Sequence, residues 1–393
     1  DVSLIPICYN VTMIKSPINS PKIIFLSHLD YNLFLFRLPI MQALVQKGWD
    51  VIALTPSGEC SAKFADYGIR HVAYEVDRGS LNPFKEIKTI YHIYQILKKE
   101  NPAVLHCFTV KPNLYGSIAG KLAHVPCIIT TVTGLGSFFI EKTVKAFFIR
   151  QLILFLYRIS TLFVQKMIFQ NHDDQALFVR QKIVSPTKAC VILGSGIDTA
   201  VWQAKLSSSP RSTLRFLMVG RLLVHKGVGE YLQMAARLKA TYQDKVEFWL
   251  VGDYYKGNPY NISKILIDQA IQNKEINYLG FRTDIQEILD QIDVFVLPSY
   301  REGVPRTALE AAAMAKPIIT TNTVGCKEVV LEGENGFLVP VQDVEALCAK
   351  ATQFILNPSL IHTMGQKSRA IAEHTFDVKA VVRQYIEVYQ TAL

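Results

Sequence analysis

Two doubly wound α/β units, each a Rossmann-like parallel sheet flanked by helices and the pair facing a cleft, form the fold class that this sequence predicts. Three observations carry it. Short apolar runs alternate with helical segments along the chain, the alternation occurs in two series parted by a Ser-rich stretch at 206–213, and 393 residues suffice for two ordinary domains. Residues 23–27 open the first series as a buried parallel strand, a helix over 37–46 follows, Gly48 caps it, and 50–54 form the next strand. Further strands are expected at 72–76, 104–108, 128–132, 167–170 and 190–193. The second series runs through 214–219, 246–251, 276–279, 294–297, 318–321 and 337–339 before the terminal helices.

This reading divides the chain into an N-terminal domain at 22–205 and a C-terminal domain at 206–376, with 377–393 a helix that crosses back to the first. Residues 1–21 lack periodicity and have no cationic start before an apolar core, so a disordered leader is expected there and not a secretory signal. Seven cysteines form an odd set without paired spacing, and Cys107, Cys127 and Cys190 fall in apolar strand runs. They read as reduced thiols of a cytosolic protein, and neither a disulfide framework nor a zinc site is expected.

Charge is unevenly distributed. Residues 1–205 hold 22 Lys/Arg against 13 Asp/Glu, and residues 206–393 hold 20 of each, so the net charge of +9 belongs to the first half. Between 142 and 188, Lys142, Lys145, Arg150, Arg158, Lys166, Arg180, Lys182 and Lys188 meet only Asp173 and Asp174. A one-sided basic field of this kind fits an anionic membrane surface, and no recognition motif for nucleic acid accompanies it. Residues 146–169 are the most apolar stretch, with Arg150, Arg158 and Lys166 recurring along one face. That pattern predicts an amphipathic helix packed on the core with partial membrane contact, in preference to a transmembrane span.

The chemistry is concentrated in the second half. Glu302 and Glu310 lie eight residues apart across a strand-to-helix junction. Val294-Phe295-Val296-Leu297 is the strand, Gly303 and Val304 lie in the loop, Pro305 suits a first helical turn, and Arg306 continues into the helix. Free N–H groups around 303–307 would face an anion. A glutamate inside the helix can bind a vicinal diol, and one on the loop can reach a sugar ring. The plain alternative is a solvated acidic pair favoured by the helix dipole. Arg221 and Lys226, five residues apart just after the strand 214–219, offer a planar fork and a mobile ammonium that suit a diphosphate, or else surface charges at a helix entry. Gly252 ends a neighbouring strand and leaves room for a ligand or another backbone.

In the first half His28, Asp30, His106, Thr109, Lys111 and the turn holding Gly134 and Gly136 follow strands and are expected to face the cleft, His106 being the foremost polar contact. The Gly134/Gly136 pair is a weak phosphate-cradle pattern. The chain has neither a Gly-x-Gly-x-x-Gly after the first strand nor a P-loop.

Together these residues resemble the retaining glycosyltransferases of family 4, which have the GT-B fold. The resemblance rests on Gly220-Arg221-Leu222 near Lys226-Gly227, on Glu302 and Glu310 as the paired glutamates, and on Gly325 with Glu328 beyond them. The run Thr131-Val132-Thr133-Gly134-Leu135-Gly136 and Ile168-Phe169-Gln170-Asn171 is similar to bacterial enzymes that add N-acetylgalactosamine or a related sugar to an undecaprenyl-diphosphate-linked sugar. The resemblance implies a UDP-sugar donor, a polyprenyl-diphosphate-linked acceptor, a place on the inner face of the plasma membrane, and no metal or cofactor. It implies that Arg221 and Lys226 stabilise the leaving diphosphate, that Glu310 anchors the ribose, and that Glu302 contacts the transferred sugar. The absence of any Asp-x-Asp motif agrees with metal-independent transfer. One departure is Ala315, where the family commonly has Gly; its methyl removes no chemical group. A sugar-nucleotide 2-epimerase and a non-catalytic subunit of the same fold are the alternatives; the first leaves the basic first half without a reason, and the retained Arg221, Lys226, Glu302 and Glu310 argue against the second.

Overall fold

A computed structural model describes residues 20–77, 82–136, 139–141, 143–204 and 212–393. Most of the expected leader, and residues 206–211 of the Ser-rich stretch, lie outside the described residues. The chain divides into two compact units, one of residues 196–378 and one of the described residues up to Ser195 together with Lys379–Leu393.

The first unit is built on β1 (Lys22–Leu26), β2 (Asp50–Thr55), β3 (Arg70–Ala73), β4 (Val104–Phe108), β5 (Cys127–Val132), β6 (Lys166–Phe169) and β7 (Ala189–Val191). These form one parallel sheet in the order β3-β2-β1-β4-β5-β6-β7. Its helices are α1 (Asp30–Gln46), α2 (Pro83–Glu100), α3 (Val110–Leu122), α4 (Val144–Ser160) and α5 (His172–Arg180). The second unit holds β8 (Leu214–Val219), β9 (Val246–Val251), β10 (Asn277–Tyr278), β11 (Val294–Leu297), β12 (Ile318–Thr321) and β13 (Gly336–Val339), parallel in the order β10-β9-β8-β11-β12-β13. Its helices are α6 (Val228–Tyr242), α7 (Lys264–Gln272), α8 (Ile285–Asp290), α9 (Arg306–Ala313), α10 (Val344–Leu356) and α11 (Ser359–Thr375). The last helix, α12 (Val378–Ala392), has its body in the first unit.

The central strands are apolar throughout because helices cover both faces of a parallel sheet. Ile23 to Leu26 and Val294 to Val296 are fully buried. Expected and observed strands coincide in the sheet centres and drift at the edges. The edge strand β3 lies at 70–73 and not 72–76, and β10 shrinks to two residues, since an edge strand is fixed by hydrogen bonds from one side only. The first helix begins at Asp30 and not at 37, and carries Pro39 inside it.

The expected amphipathic helix over 146–169 is two elements. α4 stops at Ser160, and 166–169 are strand β6 because Met167, Ile168 and Phe169 are needed in the sheet between β5 and β7. α4 buries Ala146, Leu154 and Tyr157 while Val144, Phe147, Phe148, Leu152 and Phe155 are exposed. Its outward face is therefore apolar, with Arg150 beside the Phe147 ring and the Arg158 guanidinium donating to the Gln181 carbonyl at 2.7 Å. No described helix is long and apolar enough to cross a membrane.

The backbone at Ala315 shows why glycine suits this position and what alanine costs there. The residue sits just past α9 at φ 55°, the left-handed region where an L side chain crowds its carbonyl. Ala315→Gly is expected to stabilise the fold by about 1 kcal/mol. Thermal denaturation checks this, and an unchanged or lowered Tm would show that the turn carries no strain.

Candidate active site

In the second sheet the strand order reverses between β8 and β11, so the loops that leave their carboxyl ends run side by side. The loop after β8 makes a short 3₁₀ turn over Val224–Lys226 that ends at Gly227. The segment after β11 is tied to it twice: the Tyr300 N–H donates to the His225 carbonyl at 2.9 Å, and the Ser299 hydroxyl donates to the same oxygen at 3.2 Å. This brings Lys226 and Glu302, 76 residues apart in sequence, into a direct ion pair. Their side chains are only 16% and 13% exposed. The same Ser299 hydroxyl lies 2.8 Å from Glu302 Oε1, so its one proton is shared between the carboxylate and the His225 carbonyl, the shorter contact being to the carboxylate.

The far side of the Glu302 loop is held by backbone. Glu302 N–H donates to the Val324 carbonyl at 3.0 Å. At Gly325, a Cβ would stand 2.2 Å from the Gly303 oxygen and 2.4 Å from the Glu302 oxygen, so only glycine lets the two loops close. Gly303 and Val304 complete the turn, Pro305 is the residue before α9, and no side chain caps that helix's first turn. One turn in, Arg306 Nε donates to Glu310 Oε1 at 3.0 Å. Burial raises the Glu310 pKa above its ordinary value, and Arg306 opposes that rise.

The fold pairs the expected site residues across sign, Lys226 with Glu302 and Arg306 with Glu310, where the sequence had set Arg221 with Lys226 and Glu302 with Glu310. Each carboxylate holds a cation. A ligand bearing phosphates and hydroxyls can exchange into both pairs, the phosphate taking the cation and the hydroxyls the carboxylate. Arg221 stands apart from them: it is exposed, with its guanidinium 5.5 Å from the Tyr255 ring. Gly252 meets backbone, since a Cβ there would lie 1.8 Å from the Gly220 oxygen. Gly134 and Gly136 belong to the first unit, after β5, at φ 137° and 79°.

The expectation that His106 follows its strand and faces a cleft is corrected. His106 is inside β4 and fully buried, one ring nitrogen 2.7 Å from the Tyr389 hydroxyl and the other 2.7 Å from Thr131 Oγ1. It is a satisfied core histidine that seats α12 on the first unit. Arg37, 4% exposed, adds its guanidinium 4.8 Å from the Phe108 ring and 5.9 Å from Tyr385 of the same helix. Sequence reasoning missed Ser299 and Tyr255. Ser299 follows the apolar strand 294–297, and its spacing of three from Glu302 is the signal that would have found it. Tyr255 carries no such signal, because its pairing with Arg221 is made only by the fold.

Glu310 yields a prediction that separates function from stability. A carboxyl whose folded pKa is raised contributes stability below its unfolded pKa of about 4.5 and loses it as pH rises through the folded value, so at neutral pH the ionised Glu310 is a cost. Glu310→Gln keeps an acceptor for Arg306. It is expected to unfold at or above the wild-type temperature at pH 7, with the difference closing as pH falls to 4, and to bind a nucleotide sugar about tenfold or more weakly, the scale of hydrogen bonds to a charged group. A lower Tm at pH 7 in thermal denaturation, or unchanged affinity in calorimetry, would contradict it.

Residues 22–171 match the family described as "Glycosyl transferase 4-like" and residues 204–371 match "Glycosyl transferases group 1". The chain is 32% identical over 383 residues to the N,N'-diacetylbacillosaminyl-diphospho-undecaprenol alpha-1,3-N-acetylgalactosaminyltransferase of Campylobacter jejuni, covering 95% of this chain and 99% of that protein. It is 28% identical over 326 residues to the UDP-Gal:alpha-D-GlcNAc-diphosphoundecaprenol alpha-1,3-galactosyltransferase of Escherichia coli, covering 79% and 81%. Among solved structures, a glycosyltransferase from Rickettsia africae superposes with a TM-score of 0.78 at 21% identity, covering 95% and 99%. HepE of Anabaena, crystallised with UDP and glucose, superposes with a TM-score of 0.76 at 19% identity, covering 94% and 99%. On the strength of the Campylobacter relative and of both family matches, the chain belongs to the GT-B glycosyltransferases, with a family-4-like first half and a group 1 second half.

Proposed function

We propose that the protein is a retaining, metal-independent enzyme that moves a hexose or N-acetylhexosamine, of the N-acetylgalactosamine type, from a UDP-sugar to a polyprenyl-diphosphate-linked sugar. The setting is assembly of a bacterial surface polysaccharide or glycoprotein glycan. The observation that carries this reading is the Lys226–Glu302 pair at the strand-order reversal, one turn of chain from Arg306–Glu310. The activities for which the Campylobacter and Escherichia relatives are named, both on undecaprenyl-diphosphate-linked sugars, support the acceptor class.

In this reading the donor's diphosphate displaces Glu302 from Lys226, and Arg221 swings from Tyr255 to share the developing negative charge. Glu310 accepts hydrogen bonds from the ribose diol. Glu302, freed but still held by Ser299, contacts the transferred sugar as positive charge builds at its anomeric carbon. The bond from that carbon to the phosphate oxygen breaks, the acceptor oxygen bonds on the same face, and its proton passes to the departing phosphate.

A lipid-linked acceptor requires the enzyme to sit at a membrane, and the outward face of α4 fits one. Phe148 is 65% exposed and Phe155 56%, and Lys145, Arg150 and Arg158 supply charge that matches anionic lipid. With nucleotide sugars on the same side, this face lies on the cytoplasmic leaflet of the plasma membrane.

One assay tests the whole reading. A panel of UDP-sugars is offered with polyprenyl-diphosphate-linked sugars in anionic vesicles, with EDTA present, and product is read by mass and anomeric configuration. A single added sugar with retained configuration is expected, and Arg150→Glu with Arg158→Glu should reduce co-sedimentation with the vesicles. Product only after metal is added would overturn metal independence, epimerised donor without product would overturn transfer, and unchanged sedimentation would remove the membrane face.

A further inference from the structure

The first sheet reverses its strand order between β1 and β4, and the two residues that leave those strands are joined across the crevice. His28 Nδ1 lies 2.6 Å from Thr109 Oγ1, both side chains half-buried. Thr109 stands at φ 75° and ψ 167°, a region that is essentially reserved for glycine, and it is β-branched. Its backbone is pinned there: the Asn113 N–H donates to the Thr109 carbonyl at 2.9 Å and the Thr109 N–H to the Thr131 carbonyl at 3.4 Å. Thr109 precedes α3, yet its side chain does not cap that helix. A glycine would satisfy this backbone without strain. What threonine adds is a hydroxyl, and that hydroxyl is spent on the imidazole.

We infer that His28, oriented by Thr109, binds a hydroxyl of the acceptor's terminal sugar, Thr109 being the positioning residue. This rests on the transfer reading above and assigns the acceptor contact that His106 cannot make. A hydrogen bond at Nδ1 fixes the ring plane and leaves the direction of Nε2 defined, the arrangement by which second partners orient a functional histidine. The neighbouring charges suit a neutral polyol better than a phosphate. Lys111 donates to Glu86 Oε1 at 2.9 Å and to the Asp77 carbonyl at 2.7 Å. The Asp30 carboxylate accepts from the N–H groups of Tyr31 at 2.7 Å and Cys60 at 2.8 Å and from the Ser61 hydroxyl at 3.1 Å. The lysine is paired with a carboxylate, and the aspartate is held by neutral hydrogen-bond donors.

The test uses the full chain with the UDP-sugar and polyprenyl-diphosphate-linked sugar that give product, and compares transfer with the slow hydrolysis of the UDP-sugar when no acceptor is added. Thr109→Gly should hold or raise Tm, leave donor hydrolysis unchanged, and lower kcat/KM for the acceptor about tenfold or more, the scale of one lost hydrogen bond in the transition state. Thr109→Ser should restore transfer, and His28→Gln should lose it as Thr109→Gly does. Wild-type acceptor kcat/KM in Thr109→Gly would overturn the inference, as would parallel loss of Tm, hydrolysis and transfer, which marks a purely structural residue. A wild-type enzyme that hydrolyses UDP-sugar but transfers to none of the acceptors contradicts the transfer reading, and this inference with it.

Discussion

The Lys226–Glu302 ion pair is the interaction on which the loops at the carboxyl edge of the second sheet depend. Neither residue belongs to a strand, and each is placed by the strand beside it. β8 and β11 are neighbours only because the chain changes direction across the sheet at that point, and the loops that emerge are locked by Ser299 and Tyr300 to the His225 carbonyl. The pair is half-buried, so its Coulomb attraction is less screened than at an open surface. A ligand has to offer something better than each partner already has, and a diphosphate with hydroxyl groups offers both at once. The same logic holds at Arg306–Glu310, where burial raises the carboxyl's pKa and a diol would offer it further hydrogen bonds.

Much of this was legible in the sequence because the features are local. The central strands are continuous apolar runs, and 104–108, 214–219, 246–251, 294–297 and 318–321 match the structure residue for residue. The loop-to-helix passage from Glu302 to Glu310 carries its own punctuation in Gly303 and Pro305. The edges of the sheets were less legible, since β3 and β10 owe their ends to one neighbour and not to composition. The break of 146–169 into α4 and β6 was obscured for a related reason: an apolar run reads alike whether it fills a sheet or a helix face.

The first unit shows the opposite balance. His106 looked functional because a histidine at a strand is chemically versatile, but its surroundings come from Thr131, 25 residues away, and Tyr389, 283 residues away. No local pattern announces a partner at that range. Thr109 is the converse case: an unremarkable residue type whose importance lies in a backbone angle that sequence does not display. In both, the decisive quantity is set by tertiary contacts. The terminal helix is part of that setting, because Tyr385 and Tyr389 of α12 close over Arg37 and His106.

If the charges of the donor site are exchanged on binding, removing the carboxylate that occupies Lys226 should help the diphosphate and harm the reaction. Calorimetric titration of UDP into the wild type, Glu302→Gln and Lys226→Met measures this directly. UDP should bind several-fold more tightly to Glu302→Gln than to the wild type and more weakly to Lys226→Met, while both variants lose sugar transfer. Weaker UDP binding by Glu302→Gln, matching the loss in Lys226→Met, would contradict the exchange and leave the pair a fixed structural bridge.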